Sequence, residues 1–158
     1  MPQYQGDDNE DNRPNSSGSD SAVHLAFAGD LVNVAGASRI ALNGYDPVAF
    51  FTDGKPVIGS PFIKGSYQGA DYLFATKDHK TLFLENPEKY APQYGGYCAY
   101  GVSVEALAPV DISTWQVRNG KLYLNFSHEY SEKFNADFDA NVAKAERKWP
   151  GLVKKYAN

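Results

Sequence analysis

The segment Trp115-Gln-Val117-Arg-Asn119-Gly120-Lys-Leu122-Tyr-Leu124-Asn-Phe126 constrains the fold more than any other. Apolar and polar residues alternate on both sides of Asn119-Gly120, the dipeptide suited to the type I′ turn that matches strand twist. A two-residue hairpin sets Val117 opposite Leu122 and Trp115 opposite Leu124. Trp115, Val117, Leu122, Leu124 and Phe126 then share an inward face. Gln116, Arg118, Lys121, Tyr123 and Asn125 share the wet one.

Ser127 follows as an N-cap, with Glu129 and Glu132 near the positive helix end. Tyr130, Phe134, Phe138, Val142, Ala145 and Trp149 recur at helical spacing. At about 100° per residue they occupy a stripe roughly 120° wide, the core-facing side of one long helix. Pro150-Gly151 is expected to end it.

Upstream, Phe62–Tyr67 and Tyr72–Thr76 flank Gln68-Gly69-Ala70-Asp71 and predict a second hairpin. Thr76 is placed to cap a short helix bearing His79, Leu82 and Phe83 on one face. Asn86-Pro87 opens a further turn ending near Pro92. Ile40–Leu42 predicts a strand, followed by turns at Asn43-Gly44, Tyr45-Asp46-Pro47 and Asp53-Gly54. Strands mixed with short helices, without regular βαβ alternation, predict an α+β fold. The expectation is a single compact domain with antiparallel hairpins, short central helices and a long C-terminal amphipathic helix.

Residues 1–22 stand apart. They hold five acidic residues against Arg13 alone, with Tyr4 as the only large apolar side chain after Met1. Such a segment buries too little surface to offset its ordering entropy, so it is expected to be a disordered acidic tail. The domain is expected over 23–152, with a short tail at 153–158. The remaining chain balances fourteen acidic against fourteen basic residues, with no basic run. That argues against nucleic acid, whose phosphates demand clustered Lys and Arg, and against an anionic membrane surface. No apolar run approaches the ~20 residues of a membrane span, which predicts a soluble chain without membrane insertion. Val23–Ala28 is too short, and its flanks too acidic, for a signal peptide. One cysteine forbids an intrachain disulfide.

Gly44-Tyr-Asp-Pro-Val-Ala-Phe-Phe51, Asn86-Pro87 through Tyr90-Ala-Pro-Gln-Tyr-Gly-Gly-Tyr-Cys-Ala-Tyr100, Gly120-Lys-Leu-Tyr-Leu-Asn125 and Trp149-Pro150 resemble the YHS-domain proteins, in their small stand-alone branch. The resemblance runs from about Leu31 to Leu152. It implies a heavy-metal or copper role, and an exported or periplasmic location. The metal-linked form of the family carries Asp-Pro-Val-Cys, then Phe-Cys-Ser-x-x-Cys. Here Ala49, Ala75 and His79 stand at those cysteine positions, leaving one ligand-capable side chain.

The candidate metal ligands are therefore Cys98, His79 and His128, with copper or another transition metal as the implied cofactor. Each also has a structural reading. Cys98 suits a small buried hydrophobe behind Gly95-Gly96, His79 a helix histidine bonded to a backbone carbonyl, and His128 a rim residue outside the apolar stripe. His24 has no assigned role. Tyr45, Asp46, Tyr94 and Tyr97 form a second group. Either they line a shallow pocket for a small ligand, or they pack in the core while Asp46 caps a turn. No residue is assigned a catalytic role. Three functions follow: a non-catalytic module binding a transition metal, a metal-free accessory protein offering a tyrosine-rich surface to a protein partner or small ligand, and a thiol enzyme built on Cys98.

Overall fold

The computed structural model of the chain describes residues 30–157. The expected tail at 1–22 and His24 lie outside them. Strands β1 (Val34–Ala35), β2 (Ile40–Ala41), β3 (Ser60–Tyr67) and β4 (Ala70–Phe74) form one sheet in the order β1-β2-β4-β3. Its neighbours pair antiparallel, except that β2 runs parallel to β4. Strands β5 (Asp111–Arg118) and β6 (Lys121–Asn125) make a separate hairpin. The helices are α1 (Ala49–Thr52), α2 (Lys77–Glu85), α3 (Pro87–Tyr90), α4 (Ala99–Ser103), α5 (His128–Ala136) and α6 (Phe138–Tyr156). This is the expected α+β class.

The second hairpin is tighter than expected. Tyr67 pairs with Ala70 across Gln68-Gly69 alone, and both turn residues have positive φ, as a two-residue turn matching strand twist requires. Thr76 caps α2, its hydroxyl accepting from His79 N–H, and Ser127 caps α5 through Tyr130 N–H. Both caps are as expected. On α2, Phe83 is fully buried but Leu82 is 37 % exposed, so the inward face is His79 and Phe83, four residues apart.

Two hydrophobic cores result, and β6 is the wall between them. Leu122 and Leu124 belong to the first, with Val48, Phe50, Phe74 and Phe83. There Phe83 meets Tyr67, Tyr72 and Phe74 at 5.8, 4.8 and 5.3 Å between ring centroids. Burying one such ring is worth about 1.5–3 kcal/mol. Tyr123 belongs to the second core, with Val102, Phe134, Phe138, Ala145 and Leu152.

This corrects the hairpin's expected wet face. Tyr123 and Asn125 are buried, because α4, α5 and α6 fold over that side. Val117 and Phe126, expected inside, are 36 % and 48 % exposed. Val117 does face Leu122, but the ladder shifts between Gln116 and Asp111, so Trp115 is not held opposite Leu124. Thr114 bridges the bulge. Its hydroxyl lies 2.8 Å from Asn125 N and 3.0 Å from Asn125 O, in place of the backbone ladder.

The C-terminal segment is two helices rather than one. The chain breaks at Asp137 (φ −145°, ψ 64°), and Asn141 Nδ2 donates to the carbonyls of Lys133 and Phe134 that end α5. Nor does Pro150-Gly151 stop the helix. Pro150 lies inside α6, which runs on to Tyr156 through residues expected to be tail. An internal proline costs ~3 kcal/mol; Leu152, 5 % exposed in the second core, anchors the turn beyond it.

Candidate functional site

Asp46 is the best-connected polar side chain in the first core. It precedes Pro47, and its Oδ1 accepts from Val48 N–H at 2.8 Å and Ala49 N–H at 3.3 Å, capping the start of α1 as expected. Its Oδ2 reaches the far end of β4 and accepts from Ala75 N–H at 2.8 Å. The same oxygen lies 2.7 Å from His79 Nδ1. A carboxylate oxygen only accepts, so Nδ1 carries a proton and donates, and Nε2 is the ring nitrogen turned to the open edge. Asp46 is fully buried, whereas the His79 side chain keeps 13 % of its surface.

That open edge is flanked by two groups from the end of α1. Thr52 Oγ1 is 3.3 Å from His79 Nε2, and Asp53 Oδ1 is 3.7 Å from it. His79 therefore bonds a buried carboxylate rather than a backbone carbonyl, which corrects the structural reading made from sequence. Thr52 and Asp53 were missed. Asp46 and His79 are 33 residues apart and meet only because β4 delivers α2 beside the Asp46 turn. No local pattern signals the pairing.

Cys98 lies elsewhere. It is 2 % exposed and caps α4, its sulfur accepting from Gly101 N–H at 3.4 Å. The thiol donates to Asn125 Oδ1, also at 3.4 Å. Neither partner is a base, so among the described residues the thiol bonds no general base of the kind a nucleophile uses. His128 is an exposed rim residue. Its Nε2 is 2.9 Å from Ser113 Oγ, which donates to Asp111 Oδ1 at 2.7 Å. The Ser113 hydroxyl and N–H hold the Asp111 carboxyl below its usual range, with a smaller contribution from His128.

Cys98, His79 and His128 thus share no partner. Among the described residues no group of three or more His, Cys, Asp or Glu side chains gathers as a metal site. The joint site expected from sequence is not assembled, because the three belong to separate layers: the sheet end, the inter-core wall and the outer start of α5.

The Tyr45, Asp46, Tyr94 and Tyr97 group is likewise divided. Tyr45 packs against the first core. Tyr94 and Tyr97 pack in the second, 6.1 and 6.4 Å from the Trp149 ring. Burial, with the adjacent Glu146 carboxylate that accepts from its hydroxyl, pushes the Tyr94 phenol well above its usual range. Tyr94 lines a cleft of about 380 Å³, with Tyr67, Glu88, Lys121 and Trp149 among its walls. Tyr94, Gly95 and Gly96 all have positive φ. At Gly95 close approach matters too, since a Cβ there would lie 2.1 Å from Leu31 O, and Asn33 N–H donates to Gly95 O at 2.9 Å.

Compared with known families, residues 48–94 match the YHS domain. That agrees with the resemblance read from sequence and covers under a third of the chain. His79, Thr52 and Asp53 fall inside the match; Asp46, Cys98, Asn125 and His128 fall outside it. No curated protein and no solved structure matches the chain.

Proposed function

We propose that the chain, whose residues 48–94 match the YHS domain, is a non-catalytic binding module whose ligand is a transition-metal ion, copper first, taken at the imidazole of His79. One observation supports this most: the 2.7 Å bond from His79 Nδ1 to the fully buried Asp46 carboxylate. A carboxylate behind an imidazole fixes its tautomer and orientation and raises its basicity, the arrangement that backs metal-bound histidines. Nε2 is left as the donor atom, with the Asp53 carboxylate beside it. Nitrogen and oxygen donors suit copper(II) and zinc rather than the soft thiolate chemistry of the family's cysteine form. Two protein donors leave the rest of a coordination sphere to water, so binding is expected to be weak and reversible.

Titration with copper(II) and zinc(II), followed by calorimetry and the copper visible spectrum, tests this. One ion per chain is expected in the wild type and in Cys98→Ala, with binding lost in His79→Ala. Equal binding by wild type and His79→Ala overturns the assignment.

A second reading, a metal-free accessory protein, draws support from the cleft of about 380 Å³ beside Tyr94. Its walls join aromatic faces to one acid and one base, which suits a polar partner segment. A partner whose binding survives His79→Ala but falls on Trp149→Ala would favour it.

A further inference from the structure

Helix α6 carries its charge on one side. Lys144, Arg147, Lys148, Lys154 and Lys155 are five of the chain's fifteen basic residues, set within twelve residues that hold one acid, Glu146. At about 100° per residue all five fall in a stripe roughly 120° wide. Glu146 falls outside it, as do the buried Phe138, Asn141, Ala145 and Leu152. Lys144, Arg147, Lys154 and Lys155 are exposed. Among the described residues only Lys148 of the five has an acidic partner, Glu105 at 3.2 Å. No run of bases marks this stripe in the sequence, because helical spacing is what gathers it.

The chain itself supplies a matching acid. Asp7, Asp8, Glu10 and Asp11 fall within five residues that contain no base, and residues 1–22 carry a net charge of −4. Residues 144–155 carry +4, five bases less one acid. The two segments are also tethered near each other. The described chain starts at Asp30, Asn33 N–H ties it to Gly95 O at 2.9 Å, and Leu31 lines the same cleft as Trp149 and Val153 of α6. The chain leading from the acidic segment therefore meets the described residues beside the end of α6 that bears Lys154 and Lys155. Up to ~60 Å of chain can separate Asp11 from Asp30, against about 12 Å along the helix from Arg147 to Lys155. Reach is not limiting.

We propose that the acidic segment Asp7–Asp11 lies against the α6 stripe of its own chain, an intramolecular electrostatic contact. Each exposed ion pair is weak, but several act together, and a tether holds the acids at an effective concentration of about millimolar. A separate acidic partner, or the same segment of a second copy, has the right sign but lacks that tether. Equal and opposite charges cancel, so α6 meets other molecules as a nearly neutral face. Salt governs the contact, since the screening length falls from about 10 Å at 0.1 M to about 3 Å at 1 M. Asp46 and His79 take no part in it, so the contact stands or falls separately from the metal reading.

The test places a nitroxide on the full chain at Asn9→Cys, with Cys98→Ala leaving a single thiol, and follows amide relaxation by NMR. At about 20 mM NaCl the enhancement is expected to be about fivefold greater over 147–156 than over α2, and to vanish at about 500 mM. Arg147→Gln, Lys154→Gln and Lys155→Gln together are expected to abolish it. Equal enhancement over α2 and α6 overturns the proposal, as does enhancement that survives salt or the three glutamines. Mixing labelled chains with unlabelled, isotope-enriched ones separates the tethered contact from one between copies; enhancement in the enriched chains gives the stripe to a second copy and overturns the proposal. Should Cys98→Ala change the fold, amide shifts of the native chain are compared with those of Asp7→Asn, Asp8→Asn, Glu10→Gln and Asp11→Asn combined. Differences over 147–156 that disappear in salt support the contact, and identical spectra at low salt overturn it.

Discussion

Asp46 and Asn125 are both fully buried, and each accepts backbone N–H groups where a short helix starts, Asp46 for α1 and Asn125 for α4. They differ in how completely they are answered. Asp46 takes bonds from Val48, Ala49, Ala75 and His79, spread over both oxygens. Asn125 uses its oxygen twice and its nitrogen not at all. A saturated carboxylate fixes its surroundings and so presents another group, the His79 imidazole, in one orientation. A half-answered amide leaves one buried donor without a partner among the described residues. One region holds a side chain in a fixed orientation; the other carries the cost of an unanswered donor.

The comparison breaks most visibly at Asp46. Asp46→Ala leaves three backbone N–H groups and the His79 Nδ1–H without their acceptor. Removing one partner of a buried charged network costs about 3–5 kcal/mol, a large share of the ~5–15 kcal/mol that holds a domain together. Urea unfolding should show a collapsed midpoint, or no folded baseline. A midpoint close to wild type would mean that Asp46 does not organise the sheet end.

Asn125→Ala should cost less, about 1–3 kcal/mol. It strands Tyr100 N–H and the Cys98 thiol, yet it also removes the unanswered Nδ2. Should it prove as damaging as Asp46→Ala, the distinction between saturated and half-saturated groups would fail. Cys98→Ala should cost about 1 kcal/mol or less, since a thiol is a weak donor and a small volume. A larger loss would make the Sγ–Asn125 contact a main support of the wall between the cores.

The first of these regions was far less legible in the sequence than the fold around it. The Val117–Leu122 register, the caps at Thr76 and Ser127 and the aromatic stripe followed from turn chemistry and periodicity, which act over a few residues. The Asp46–His79 bond depends on a sheet bringing together positions 33 residues apart. Period-two alternation also misled at β6. Tyr123 and Asn125 alternate with leucines as solvent-facing residues would, but alternation reports only that two faces differ. Whether the second face stays wet depends on α5 and α6 returning over it. The bulge likewise came from one side chain, Thr114, substituting for backbone bonds. Pro150 is a local stop signal that packing of Leu152 overrides.

Asp111 offers the finest test of what burial contributes, because it repeats the Asp46 cap without it. Asp111 Oδ1 accepts from Ser113 N–H two residues on, as Asp46 Oδ1 accepts from Val48 N–H, and a histidine lies one bond beyond Ser113. Asp111 is exposed, so water replaces a lost bond at little cost, and Asp111→Ala should hardly move the urea midpoint. The pH dependence carries a definite sign. Ser113 holds the folded carboxyl below its ordinary value of 3.8, so the carboxylate's contribution is present above that value and fades as pH falls through the lower folded one. Carbon-detected NMR titration should place the Asp111 midpoint below the ordinary 3.8, and Ser113→Ala should raise it. A midpoint unchanged by Ser113→Ala would show that the cap exerts no hold in water, and that desolvation alone separates the Asp46 turn from the Asp111 turn.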